Sequence, residues 1–99
     1  MTYFAVTRER GEAAWNATLP MRKQEKWDEH AAFMNALADE GFVVLGGPLG
    51  DGSRTLLIVD AEDEAEITRR LADDPWTPMG LLRIATIEPW EILLSSSGD

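Results

Sequence analysis

FVVLGGPLGDGSRTLLIVD, residues 42–60, decides the fold. Its two apolar runs, 42–49 and 54–60, are rich in β-branched and aromatic residues, and Gly50-Asp51-Gly52-Ser53 between them supplies turn chemistry. The stretch predicts a β-hairpin whose first strand ends in the special backbone of Gly46-Gly47-Pro48. A hairpin in the middle of the chain makes the segments on either side decide the rest.

Upstream, the apolar positions Trp27, Ala31, Met34, Leu37 and Ala38 recur at the three-and-four spacing of a helix that begins between Met21 and Asp28. Gly41 then supplies a left-handed residue to end it. Downstream, DAEDEAEITRRLADDP, residues 60–75, has acid in its first turn, Arg69 and Arg70 near its end and a proline as stop, the order that suits a helix dipole. TYFAVT, residues 2–7, and LLRIATIEPWEILL, 81–94, read as outer strands, the latter with a short extension after Pro89. Residues 8–26 show no clear period and carry Gly11, Trp15, Asn16 and Pro20. A connection of that length marks a lid or a partly ordered excursion, and the large aromatic Trp15 favours the lid. One domain is expected over 1–94, with 95–99 as a polar tail that frays. The element order is β-α-β-β-α-β, an α+β ferredoxin-like unit with an antiparallel sheet and both helices on one face.

Composition narrows the function classes. The chain has 99 residues, 44% of them hydrophobic, with 4 Trp and 3 Phe, which fits one globular domain with a modest core that gains from pairing with a second copy. A net charge of −9, from 18 acidic and 9 basic residues, repels phosphate backbones and argues against nucleic acid. The basic group Arg22, Lys23 and Lys26 is interrupted by Glu25 and followed by Asp28 and Glu29, and reads as a solvated face. With 0 Cys, thiolate nucleophiles and cysteine-ligated zinc are excluded, and 1 His argues against a structural metal site. No metal or nucleotide motif is present, so no cofactor is expected. MTYFAVTRER is too soon charged for a signal peptide and no stretch approaches a membrane span, so a cytoplasmic location is expected.

Topology then brings distant residues together. If the first strand runs upward, the first helix starts at the top, and the second helix and the first hairpin strand both finish there. His30, in WDEHAAF (27–33), therefore shares one end with Asp73-Asp74, with Trp76, with Gly46-Gly47-Pro48 and with the Trp15 lid. A carboxylate on one ring nitrogen fixes the tautomer and stabilises the imidazolium formed when the other takes a proton. The Gly46 or Gly47 amides are candidates for holding an oxyanion or a ligand carboxylate. Each feature has a plainer reading. His30 can be a half-buried residue bonded to a carbonyl, Asp74-Pro75 a helix stop and Gly46-Gly47 a β-bulge, while Trp27 and Met34 read as core.

WDEHAAF, VVLGGPLGDG (43–52) and DDPW (73–76), in that order, resemble the YCII-related (YciI-like) family of small bacterial proteins, and the resemblance runs from TYFAVT to the EPW near residue 90. It implies a ferredoxin-like subunit that pairs through its sheet into a dimeric α/β barrel, with a histidine and an aspartate at the active site that map onto His30 and Asp74. The 8–26 segment is much longer than the first connection in compact members, and as a cover it would change the ligand. Barrels of this kind host isomerases, cofactor-free monooxygenases, dehalogenating lyases and plain binders. The expectation is a cofactor-free enzyme in which His30, oriented by Asp74, moves a proton on a small aromatic or unsaturated organic acid, giving isomerisation or elimination. Its alternative is a non-catalytic dimeric binding or accessory module.

Overall fold

The central hairpin forms between Val43–Leu49 and Arg54–Ala61, with Val43 opposite Val59 and Pro48 opposite Thr55. In the computed structural model, which describes residues 2–96, the chain order is β1 (Thr2–Arg10), a 3-10 turn (Met21–Lys23), α1 (Trp27–Asp39), β2 (Val43–Leu49), β3 (Arg54–Ala61), α2 (Glu64–Leu71) and β4 (Leu82–Pro89). The four strands form one antiparallel sheet in the order β2-β3-β1-β4. The fold is the α+β ferredoxin-like one.

Local chemistry sets the helix ends. Gly41 takes φ 84°, its N–H returning to the Ala38 carbonyl and that of Phe42 to the Leu37 carbonyl, so the last carbonyls of α1 are satisfied by a Schellman closure. Asp60 and Ala61 remain in β3, and α2 starts only after Asp63, whose carboxylate accepts the Glu66 N–H at 2.9 Å. Glu66 in turn accepts the Glu62 N–H at 2.8 Å.

Strand alternation sorts the side chains. Phe4, Val6 and Arg8 of β1 face the helices beside Val59, Leu57 and Thr55 of β3. Phe4, Val6, Leu57 and Val59, with Leu37 of α1 and Ile67 and Leu71 of α2, build the main core on one side of the sheet. The inward stripe of α1 is His30, Phe33, Met34 and Leu37, and Ala38 is exposed.

Three expectations are corrected. The first connection is 11–26 rather than 8–26, because Arg8, Glu9 and Arg10 stay in β1, a central strand whose two edges are paired by β3 and β4. Gly46-Gly47-Pro48 lies inside β2, opposite Leu57, Leu56 and Thr55, rather than at the strand's free end. The register irregularity falls earlier, between Val43 and Leu45, and Pro48 is accommodated because β2 is an edge strand. The last strand stops at Pro89, where the Trp90 N–H still reaches the Tyr3 carbonyl at 2.9 Å. Of the expected 95–99 tail, residues 97–99 lie outside the described residues.

Candidate active site

Within residues 11–26, one side chain gathers the backbone at Asn16 and Leu19. Buried Gln24 donates from Nε2 to the carbonyls of Asn16 at 2.8 Å and Leu19 at 3.0 Å, and its Oε1 accepts the Asn16 N–H at 3.0 Å. Every hydrogen-bonding end of that amide holds loop backbone. The chain then enters α1 through Lys26, which has the left-handed φ of 61°, a conformation that costs a non-glycine residue about 1–2 kcal/mol. The indole Nε1 of Trp76 donates to the Glu25 carbonyl at 2.7 Å just before it, so a residue distant in sequence holds this entry in place.

His30 follows in the first turn of α1, 8% exposed, and its Nδ1 lies 2.9 Å and 2.8 Å from the two oxygens of Asp74. Asp74 is fully buried just beyond α2. It also accepts from Arg8 Nη2 at 2.9 Å and from the Trp76 N–H at 2.9 Å. Burial works to raise the Asp74 carboxyl. The hydrogen bonds from His30 and the Trp76 amide, with the charges of His30 and Arg8, outweigh it, and the group sits below its ordinary 3.8. An ionised Asp74 is an acceptor only, so the proton on the shared hydrogen bond belongs to Nδ1 and Nε2 is the nitrogen left for a ligand.

Aromatic rings frame the pair. Trp76, 0% exposed, stacks on the imidazole with centroids 3.9 Å apart and planes 5° apart. Trp27 leans on both rings at 5.6 Å and 5.7 Å, and Trp15 meets Trp76 edge-on at 5.6 Å. The Arg10 guanidinium lies 4.5 Å from the ring centroid of Trp15, a cation–π contact that holds this loop side chain against the sheet.

A cavity of about 420 Å³ opens against this group, lined among others by Arg8, Trp15, His30, Met34 and Gly46. That volume is in the range that encloses a small organic ligand. The lining also takes in Gly47, Pro48 and Trp76. Of the residues that the sequence brings to this end, Trp15, His30, Gly46, Gly47, Pro48 and Trp76 line the cavity and Asp74 lies behind His30, but the glycines contribute differently from what the sequence suggested. A Cβ on Gly46 would come within 2.7 Å of Leu57 Cδ2, whereas one on Gly47 would meet nothing within 4 Å.

Arg8 is the member that sequence reasoning missed, having been assigned to the loop. The available signal was the period of two in Phe4, Val6 and Arg8, which continues the buried face of β1 past Thr7. Trp27, read as core, lines the cavity as well as packing beside Trp76. Among the described residues no group of three or more His, Asp or Glu side chains is placed to hold a metal ion, and no helix is long and apolar enough to cross a membrane.

No curated protein matches the sequence. Among solved structures, the chain is similar to the 5-chloro-2-hydroxyhydroquinone dehydrochlorinase TftG from Burkholderia phenoliruptrix, determined in complex with 2,5-dihydroxybenzoquinone. The TM-score is 0.55 at 22% sequence identity, over 98% of this chain and 99% of that one, which supports the shared fold. The model of the YCII-related domain matches residues 1–91, nearly the whole chain, and the protein belongs to that family.

Proposed function

We propose that this protein is a proton-transferring lyase that eliminates hydrogen halide from a small, hydroxylated, planar ring, with His30 as general base and Asp74 as the group that orients it. The observation that carries this reading is the buried Nδ1–carboxylate contact of 2.8 Å on a cavity wall, which leaves Nε2 as the nitrogen free to take a proton. His30 removes a hydroxyl proton, a proton is delivered to the halogen-bearing ring carbon, and the halide then departs from that carbon with its bonding pair as a second hydroxyl loses its proton. The ring leaves as a quinone, oxidised at the expense of the carbon–halogen bond, with no outside electrons. A positioned base contributes roughly 10²- to 10⁴-fold to such a step. The aromatic walls of Trp15, Trp27 and Trp76 suit a flat ring, and the fold neighbour's dehydrochlorinase chemistry on a hydroxylated ring agrees with that choice.

Chloride release from 5-chloro-2-hydroxyhydroquinone tests it. The wild type releases chloride, His30→Ala loses roughly 10²- to 10⁴-fold in rate, and Asp74→Asn loses rate by offering the wrong partner to Nδ1. Circular dichroism checks that each variant is folded. Unchanged release by folded His30→Ala overturns the assignment. The 8% exposure of His30 favours a second reading, a binding or accessory module in which the imidazole is packing. A wild type that binds such rings without releasing halide or exchanging a proton supports that reading instead.

We further infer that the whole described chain acts as one unit and pairs with a second copy through the sheet face opposite the helices. Leu45, opposite Ile58 on that face, is 69% exposed, and Leu93 and Leu94 beyond β4 are 75% and 91% exposed; burying such apolar side chains favours association. Sedimentation equilibrium distinguishes a dimer from a monomer.

A further inference from the structure

We infer that Arg8 binds the ligand directly, its Nη1 taking an ionised ring oxygen adjacent to the position from which His30 removes a proton; the ligand class is a planar phenolate or enolate. The inference rests on the reading of His30 as base.

Arg8 is 1% exposed and lines the cavity, yet its donors are unevenly used. Nη2 has Asp74 Oδ2 at 2.9 Å and Thr77 Oγ1 at 3.4 Å. Nη1 has only the thioether of Met34, at 3.8 Å. A thioether is a weak acceptor, and a buried guanidinium gains most from a planar, charged oxygen partner. Met34 lines the same cavity, so the donor it occupies so poorly belongs to the ligand's side of the ion pair.

Arg8 Nη2 and His30 Nδ1 also converge on one atom, Asp74 Oδ2, at 2.9 Å and 2.8 Å. Two groups anchored on a common oxygen present their remaining nitrogens to neighbouring substituents of one ligand. The charges fit this arrangement. Arg8 and Asp74 cancel as a pair, and in the step where His30 acts as base a ligand O–H or C–H bond breaks, its proton goes to Nε2 and its electron pair stays on the ligand. The oxygen charge so formed, conjugated in the ring plane, faces the guanidinium rather than water. Nothing is oxidised or reduced in that step.

Calorimetric titration of the full chain with ionised 2,5-dihydroxybenzoquinone and with its neutral dimethyl ether tests the contact. The wild type is expected to prefer the anion by about tenfold or more. Arg8→Lys keeps a cation against Asp74 but lacks the second prong, so that preference falls toward one while circular dichroism and Tm report a folded protein. A merely structural Arg8 would weaken both ligands alike and leave their ratio intact. His30→Gln keeps the preference and loses proton transfer. An unchanged ratio in folded Arg8→Lys overturns the inference and leaves His30 as base. So does a wild type that takes the ether as tightly as the anion, provided chloride release still depends on His30. If chloride release does not depend on His30, the function reading falls, and the inference falls with it.

Discussion

The fold holds two buried clusters built on opposite terms. The main one, between sheet and helices, is aliphatic apart from Phe4 and Phe42, and takes Val6, Leu37, Val59, Ile67 and Leu71. The other, at the end where β1 finishes and α1 starts, gathers Trp76, Leu81 and Leu82 with Trp15, Met21, Trp27 and Met79 around it. A buried ion pair and a buried histidine lie against the second through Trp76, and meet the first at Met34. The first cluster stabilises because apolar area leaves water, at about 25 cal/mol per Å². Near the second, three polar side chains have been desolvated, and their mutual contacts at best offset that cost. That small return in stability agrees with the catalytic use proposed for the group. The contrast also says where variants should uncouple folding from function.

The largest effect is expected at Arg8. Arg8→Met leaves Asp74 buried without its guanidinium and is expected to destabilise by about 3–5 kcal/mol. Arg8→Met with Asp74→Leu removes both charges and is expected to be destabilised by less than the sum of the two single variants, read from urea midpoints in a double-mutant cycle. Strict additivity would break the contrast, since it would make the ion pair no different from independent packing. Next is Leu71→Ala in the aliphatic cluster, 1% exposed, with an expected loss of about 2–5 kcal/mol. Under conditions where the variant is fully folded, it is expected to keep ring binding within about twofold of the wild type.

A smaller, pH-dependent effect follows from Asp74. Its folded carboxyl ionises more readily than the ordinary 3.8, so the stability it contributes is complete above 3.8 and is lost as the pH falls through the lowered folded value. Urea midpoints of the wild type are therefore expected to drop on acidification through that window, and those of Asp74→Asn to drop less. Asp51, lowered chiefly by the Ser53 amide, leaves a residual slope in both. Equal slopes in the two proteins would remove Asp74 from the electrostatics of the site.

These two clusters were not equally legible in the sequence. The order of elements and the meeting of His30 with Asp74 could be read from periodicity plus topology, because a β-α-β-β-α-β chain has few ways to cross a sheet. The C-terminus of α1 at Gly41 was legible for a local reason, its left-handed φ of 84°. What escaped was whatever depends on a side chain seen against its neighbours. Arg8 looked like the start of a charged loop because Arg8-Glu9-Arg10 carries no apolar residue, although pairing on both edges of β1 held it in the strand and turned it inward. Gln24 had no sequence signature at all, since its role consists of three bonds to Asn16 and Leu19 made only after the loop folds. Trp76 was visible as an aromatic after Asp-Pro, but its stacking on His30 is a product of α2 ending where α1 begins.

The smallest expected effect joins the two regions. Gly46 and Gly47 are neighbours in β2, yet a methyl on the first would press Leu57 Cδ2 at 2.7 Å, and a methyl on the second would meet nothing within 4 Å. Leu57 belongs to the aliphatic cluster and also lines the cavity. Gly46→Ala must therefore shift a core side chain, at an expected cost of about 1 kcal/mol, while taking volume from the ligand space. Gly47→Ala is expected to stay within about 0.5 kcal/mol of wild type and to bind rings unchanged. Paired urea and calorimetric titrations of the two variants separate them. If Gly46→Ala weakens ring binding without loss of stability, Leu57 yields freely and the clusters are mechanically independent at this strand. If both fall together, the wall of the cavity is also part of the core, and packing in the aliphatic half sets the width available to a ligand in the aromatic half.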